Sequence, residues 1–393
     1  MSRKTISLLL LITAALLVFG LFGCEKTKEA LSLGKTSQGP QGKLYKLLFV
    51  GDTSFAESYG KRQIRLLEKH GYDYPLEKVN SLLTGSDFVI TNLETPITNL
   101  KESPFEKTKT YVHWTHYQKA PASLKRHNMM TFGLANNHTL DYGVPGIEQT
   151  FEIMKENGME WFGAGMNEAE AAKPFTKTFT IGDQKLKVAV IAPFERSNKY
   201  QLMYSFYAEG DKPGAYMLSQ SALRKQIQEI KAKDPDTYVI VFPHWGANYK
   251  WKNKRQTANG HAMIDAGADL VIGHGGHAMQ EIEKYKDKWI VYGLGNFMFL
   301  TGGRYSKFKI PPYSYAAQLV LADNNGKLEK WMRLYPILTD NRVAKYQVRP
   351  LNAEEFGKFT TALLTKSPLK PQEAKSITEG EDQVGHYLQF RID

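Results

Sequence analysis

The most informative stretch of this chain is MTFGLANNHTLDYG, residues 130–143, in which a strand-like apolar run leads directly into two amides and an imidazole. In two later stretches an apolar run again leads into histidine, YVIVFPHWG at 238–246 and DLVIGHGGH at 269–277. Two earlier stretches end in carboxylates, LLFVGD at 47–52 and FVITNLE at 88–94. Five predicted buried strands therefore each end in polar side chains that are able to bind a metal.

The position of these polar groups matters as much as their identity. In α/β proteins, ligand sites lie at the carboxyl ends of the strands, where loops leave the sheet. Imidazole and oxygen ligands gathered there suit divalent Mn, Zn or Fe. A single histidine after a strand is more often a hydrogen-bonded boundary residue, but the same chemistry at five strand ends predicts a metal-dependent site.

The order of elements predicts the fold class. Helical and strand-like stretches alternate at first and are followed by strands alone, which indicates layered α/β with sheet packed on sheet. The predicted helices are 61–70, 146–157, 221–233 and 255–266, and the late strands include 314–321 and 328–335.

The motifs resemble those of the CapA family of poly-γ-glutamate capsule proteins, whose fold resembles that of calcineurin-like metallophosphoesterases. The resemblance covers roughly residues 45–300 and rests above all on the Asn-Asn-His block followed by both later histidine blocks. It implies a four-layer α/β/β/α sandwich with one or two divalent ions. By position it implies six metal ligands: Asp52, Glu94, Asn137, His244, His274 and His277.

The same resemblance assigns further roles. His138 matches the histidine that points at substrate and is expected to act as a general acid. Asp141 is expected either to accept its ring N–H or to cap the following helix. Glu94 stands at the place of a bridging carboxylate, whereas Ser54 replaces a histidine of the first motif, which leaves open a binding platform with one metal or none.

Charge and nearby amides suggest where a substrate binds. The predicted substrate-binding residues are Asn92, Lys250, Lys252 and Arg255. The net charge of +11 favours anionic partners. No recognised DNA- or RNA-binding motif is present, which argues against nucleic acid as a partner.

The N-terminus predicts export. Residues 1–24 combine a basic start, an apolar stretch and a small residue before Cys24, the single cysteine of the chain. This resembles a lipoprotein signal peptide with Cys24 as the lipidation site, and an uncleaved membrane anchor is the alternative. A flexible tether at 25–43, a CapA-like domain at 44–340 and a C-terminal extension at 341–393 that packs on the domain are then expected.

Three functions remain open at this point. The first is a cell-surface-anchored protein that helps to synthesise, export or process an anionic polymer, together with other capsule-synthesis membrane proteins. The second is a metal-dependent phosphoesterase or amide hydrolase of the bacterial envelope. The third is a noncatalytic polymer-binding subunit of a membrane complex.

Overall fold

The computed structural model describes residues 33–34, 39–57 and 61–393. The predicted signal peptide (1–24), the lipidation site Cys24 and most of the predicted tether (25–43) lie outside those residues. Within the described part of the chain, no helix is both long and apolar enough to cross a bilayer.

Two large sheets form the framework. Their strands are, in chain order, β1 (Lys43–Ser54), β2 (Phe88–Leu93), β3 (Thr131–Gly133), β4 (Glu160–Phe162), β5 (Phe175–Ile181), β6 (Gln184–Ile191), β7 (Tyr238–Val241), β8 (Leu270–Ile272), β9 (Ile282–Tyr285), β10 (Lys288–Val291), β11 (Asn296–Phe299), β12 (Tyr313–Asn324), β13 (Lys327–Leu338), β14 (Arg349–Pro350), β15 (Thr378–Asp382) and β16 (Gly385–Arg391). Short two-residue strands lie at Ile97–Thr98, Thr115–His116, Ala164–Gly165, Phe194–Glu195, Gly214–Ala215 and Met217–Leu218.

The α-helices are, in chain order, α1 (Lys61–His70), α2 (Asn80–Thr84), α3 (Lys119–Arg126), α4 (Gly143–Glu156), α5 (Glu168–Ala172), α6 (Gln220–Lys233), α7 (Lys254–Asp265), α8 (Tyr305–Phe308), α9 (Asn341–Ala344), α10 (Ala353–Lys366) and α11 (Pro371–Lys375). A 3₁₀ turn at Glu77–Val79 and a π turn at Lys199–Met203 complete the set in the described residues. Each of the four helices predicted from apolar spacing is present, with ends that differ by at most three residues.

The larger sheet has the order β15-β16-β13-β12-β1-β2-β3-β4, and β11 pairs with the far end of β1. The smaller sheet has the order β9-β10-β8-β7-β6-β5. Parallel pairing joins β1 to β2 and β11, β2 to β3, β6 to β7, and β8 to both β7 and β10. Polar residues that follow these strands are therefore brought to one edge of each sheet.

Aromatic side chains hold the two sheets face to face. The ring centroids of Phe49 and Phe242 lie 5.7 Å apart, and those of Phe88 and Phe175 lie 5.5 Å apart. Helices cover the outer faces: Ile147 and Met154 pack on the larger sheet, and the smaller one is covered by α6 and α7. The four-layer α/β/β/α arrangement predicted for this chain is confirmed.

Candidate metal centre

The centre is built around Asp52, which lies where one neighbour of β1 changes from the antiparallel β12 to the parallel β11, while β2 stays paired on the other side. A Cβ on Gly51 would stand 1.9 Å from the carbonyl oxygen of Gly295, so only glycine allows the two strands to approach this closely. The Asp52 N–H then donates to that carbonyl at 3.0 Å. This close approach fixes the backbone that carries the central carboxylate.

One oxygen of Asp52 is held by hydrogen bonds and the other is not. Asn92 Nδ2 and the Gly275 N–H each donate to Asp52 Oδ1 at 2.9 Å. Oδ2 is buried, has no hydrogen-bond donor and lies 3.1 Å from His277 Nδ1. The carboxylate is therefore oriented by its neighbours so that Oδ2 faces His277, while Oδ1 lies 3.6 Å from His274 Nδ1.

Five of the six predicted ligands converge at this edge, and they form two groups that share Asp52. Within each group the ligand atoms lie within 4.8 Å of one another, and the groups are Asp52 with His244 and His274, and Asp52 with Glu94 and His277. The side-chain oxygen of the sixth, Asn137, is buried and accepts no hydrogen bond. The carboxylate shared by both groups is Asp52, whereas the family resemblance places the bridge at Glu94.

The donor atoms fit a divalent metal. Buried polar atoms in folded proteins almost always have a hydrogen-bond partner. Here Asp52 Oδ2 and both Glu94 oxygens have none, although all are buried in one group of candidate ligands. Carboxylate oxygens and imidazole nitrogens are the ligands that Zn, Mn and Fe accept.

The electrostatics of the cluster agree with that chemistry. Burial alone would raise the pKa of Asp52, but the adjacent imidazoles of His274 and His277 hold it below its usual range. Burial and the Asp52 charge raise the pKa of Glu94 well above normal. Burial lowers the pKa of His277, yet the charges of Glu94 and Asp52 outweigh this and raise it to about 9. Asp52 and Glu94 are two adjacent buried carboxyl groups whose negative charges act on each other and on His277. A site of this kind attracts a cation.

His138 lies beside the two ligand groups, and Asp141 contacts its ring on the side away from Glu94. Its Nδ1 is 2.6 Å from Asp141 Oδ2, and its Nε2 faces Glu94 Oε1 at 3.8 Å. In the tautomer that donates to the ionised Asp141 carboxylate, the proton is on Nδ1 and Nε2 faces the centre. Burial and the nearby Lys109 charge lower the pKa of His138 well below its usual range. The neutral ring can therefore accept a proton at Nε2 and return it.

The Asp141 side chain contacts His138 and does not cap the following helix. The residue before α4 is Tyr142, and no side chain caps that helix. The Asp141 carboxylate instead receives Lys109 Nζ and the backbone N–H of His113. Of the two alternatives expected from the sequence, the geometry matches the contact with His138.

Two further residues belong to this network, and neither was among the predicted catalytic, metal or substrate-binding residues. His113 stacks on His138 with ring centroids 3.4 Å apart, and its Nδ1 lies 3.1 Å from the Glu94 carbonyl oxygen. Lys109 is buried and its Nζ also donates to the Asn137 carbonyl oxygen at 2.7 Å. Both come from the irregular stretch between Thr98 and Thr115, which contains no helix or strand to mark their position.

A cavity of about 1280 Å³ opens over the centre. Among the predicted substrate-binding residues, Arg255 lines it, whereas Lys250, Lys252 and Asn92 do not. Lys252 Nζ donates to Thr257 and Lys250 lies over the Phe308 ring. Asn92 is fully buried and its amide contacts Asp52 and Asn136. In this structure it therefore positions Asp52, a candidate metal ligand.

The His244 ring packs directly against Gly275, where a side chain would occupy the same space. A Cβ at Gly275 would stand 3.0 Å from three atoms of the His244 ring, and its φ of +101° is unfavourable for other residues. Gly275→Ala should destabilise the fold by about 1–3 kcal/mol and reduce metal binding. Gly276→Ala is the matched control, because its φ is not in the left-handed region and its Cβ would meet one side chain, the amide of Gln280 at 3.1 Å, with the nearest backbone atom at 3.7 Å.

The measurements are thermal unfolding and metal content of both variants. Equal behaviour of Gly275→Ala and Gly276→Ala would show that the conformation at 275 does not hold the His244 ring.

Comparison with known proteins places these features in context. The model of the family described as bacterial capsule synthesis protein PGA_cap matches residues 46–301. The capsule biosynthesis protein CapA of Bacillus anthracis is 29% identical over 340 residues, which cover 85% of this chain and 74% of that protein. The PGA biosynthesis protein CapA of Bacillus subtilis is 31% identical over 65% of this chain and 63% of its own length.

Solved structures are less similar. A phosphatase from Mycoplasma pneumoniae aligns over 82% of this chain and all of its own, with 13% identity and a TM-score of 0.34. A likeness at that score carries no argument about this chain.

Proposed function

This chain belongs to the bacterial capsule synthesis protein family, and from that premise we propose that it is an accessory protein that processes an anionic capsule polymer, poly-γ-glutamate, at a divalent-metal site. The observation that carries the proposal is the set of buried carboxylate oxygens on Asp52 and Glu94 that have no hydrogen-bond partner, grouped with His244 and His277, which line a cavity. That cavity is lined mainly by polar and basic side chains, as an anionic ligand requires.

Different residues of the chain would bind the metal and transfer the proton. One group, Asp52 with His244 and His274, would hold one ion, and the group of Asp52, Glu94 and His277 would hold a second. A bound divalent ion supplies Lewis-acid polarisation of a carbonyl or phosphoryl oxygen. His138 holds a proton on Nδ1 against Asp141 and exchanges one at Nε2 with the reacting group.

The chemistry of the candidate ligands restricts which metal ions the site would bind. Three imidazoles and two carboxylates suit Mn, Zn or Fe better than Mg or Ca, which prefer sites made only of oxygen ligands. The proposed metal is therefore one of these three transition ions, held as one or two per chain.

The assay is direct. Metal-loaded protein incubated with poly-γ-glutamate should shorten the polymer, as measured by size-exclusion chromatography, and protein stripped by a chelator should not. If the polymer binds but keeps its length, the chain is a noncatalytic binding subunit. If a model phosphoester is hydrolysed and the polymer is untouched, the envelope phosphoesterase is the correct function.

We also propose that the protein works at the cell envelope, held by lipid on Cys24 beside membrane proteins that make the polymer. The support is the sequence of residues 1–24, with its basic start and apolar stretch before Cys24. Cys24→Ser should release the protein from the membrane fraction or block its processing. Membrane retention at full precursor length in both wild type and variant would support an uncleaved anchor.

A further inference from the structure

The cavity has basic side chains on two sides of the metal centre. The first wall consists of Arg196 and Lys199, in the segment after β6, and the second wall consists of Arg304 and Arg342, after β11 and in α9. None of these four side chains has a carboxylate within 4.0 Å among the described residues. The only acidic residue in the described lining, Glu195, is paired with Arg255 at 3.1 Å.

The contacts of these side chains leave their charges available. Arg196 Nε donates to the neutral Gln201 at 3.0 Å, and Arg342 Nη1 donates to Ser306 Oγ at 3.3 Å. Arg304 lies over the Tyr111 ring, 5.0 Å from its centroid, and also contacts the Tyr111 hydroxyl. A guanidinium held by neutral groups is oriented but not neutralised, so it can still bind an anion through two N–H groups.

Each wall adjoins a different ligand group. On the first side, Phe194 packs against His244 with ring centroids 5.4 Å apart. On the second side, Phe299 packs against His277 with ring centroids 4.9 Å apart. The two pairs of cations therefore flank the metal centre on the sides of its two ligand groups.

We propose that the two walls bind separate anionic groups of one ligand, so that the cavity takes an internal segment of a polycarboxylate chain and not a single end group. The inference rests on the proposed function for the identity of the polymer. A chain that carries a carboxylate on every unit would place its amide over the metal centre and its flanking carboxylates on the two walls. The cavity volume of about 1280 Å³ exceeds the ~300–1,000 Å³ of ordinary small-ligand sites.

The test measures binding to metal-loaded protein by calorimetry. The probes are a γ-linked glutamate oligomer of several residues, free glutamate, and inorganic polyphosphate of matched charge. The first-wall variant is Arg196→Gln with Lys199→Gln, and the second-wall variant is Arg304→Gln with Arg342→Gln. The control is Arg224→Gln with Lys233→Gln, which removes the same charge from the outer helix α6.

Each wall variant should bind the oligomer at least about tenfold more weakly than the control, because charge-assisted hydrogen bonds are lost. Free glutamate, which spans only one wall, should bind more weakly than the oligomer to wild-type protein. Loss of affinity in only one wall variant, or equal losses in walls and control, would overturn the inference and leave the proposed function standing.

Two further outcomes separate the claims. Wild-type protein that fails to bind the oligomer would overturn both the proposed function and this inference. Tighter binding of polyphosphate than of the oligomer would overturn the assignment to carboxylates.

Discussion

His138→Ala should abolish polymer cleavage and leave the metal in place. The ring lies beside the ligand groups, with Nδ1 bonded to Asp141 and Nε2 directed at the centre, so it is positioned to transfer protons and not to hold an ion. Loss of one general acid–base group typically lowers the rate by ~10²–10⁴-fold. The measurements are initial cleavage rate and metal content of the same preparation.

His261→Ala is the matched control for that variant. His261 lies in α7, stacked on Tyr285 and bonded to Glu283, and does not line the cavity. It should keep both metal and activity. Loss of metal together with activity in His138→Ala would instead make His138 a ligand.

Asp52→Asn should empty the centre. The two ligand groups share this carboxylate, and the amide keeps its size but loses its charge. Changes to residues that only support a ligand weaken metal binding by ~10–100-fold, so loss of the shared ligand should exceed about 100-fold. His244→Ala removes a ligand from one group alone and should reduce occupancy by one ion.

The control for the carboxylate is Asp236→Asn, an exposed position in the turn before β7. Metal stoichiometry measured by mass spectrometry should fall in Asp52→Asn and stay unchanged in Asp236→Asn. Full occupancy in Asp52→Asn would contradict the shared role of this carboxylate.

The sequence predicted the strand ends well because apolar runs and the polar residues that follow them are local signals. The run 238–242 and His244, for example, lie next to one another in the chain, so their relation in the fold follows from the sequence. The helix at Gly143–Glu156 was likewise predicted from the spacing of Ile147, Phe151 and Met154.

Features that depend on contacts distant in sequence were not predicted. The position of Asp52 depends on the pairing of β1 with β11, which joins Asp52 to Asn296, more than 200 positions away. Arg304 and Arg342 reach the cavity only because of how β11 and β13 are placed in the larger sheet. Neither arginine lies near a histidine block in the sequence, so the second wall had no local signal.

Lys250 and Lys252 were predicted to bind substrate because they are close in sequence to a histidine block, but they do not line the cavity. They follow the His-Trp-Gly block closely, yet the chain turns so that Lys252 lies over the Tyr292 ring, 4.9 Å from its centroid, and Lys250 over Phe308. The ammonium group of each lysine lies over an aromatic ring, which is a cation–π contact. Nearness in sequence to a site does not fix the direction of a side chain.

Anomalous diffraction from crystals grown with Zn²⁺ tests the metal centre most directly. We expect one or two peaks at the zinc edge, with His244, His274 or His277 nitrogens at ~2.0–2.1 Å and carboxylate oxygens at ~2.0–2.2 Å. The first peak should lie in the group of Asp52, His244 and His274. Crystals that show no anomalous peak among these side chains, at saturating zinc, would contradict a metal centre at this site.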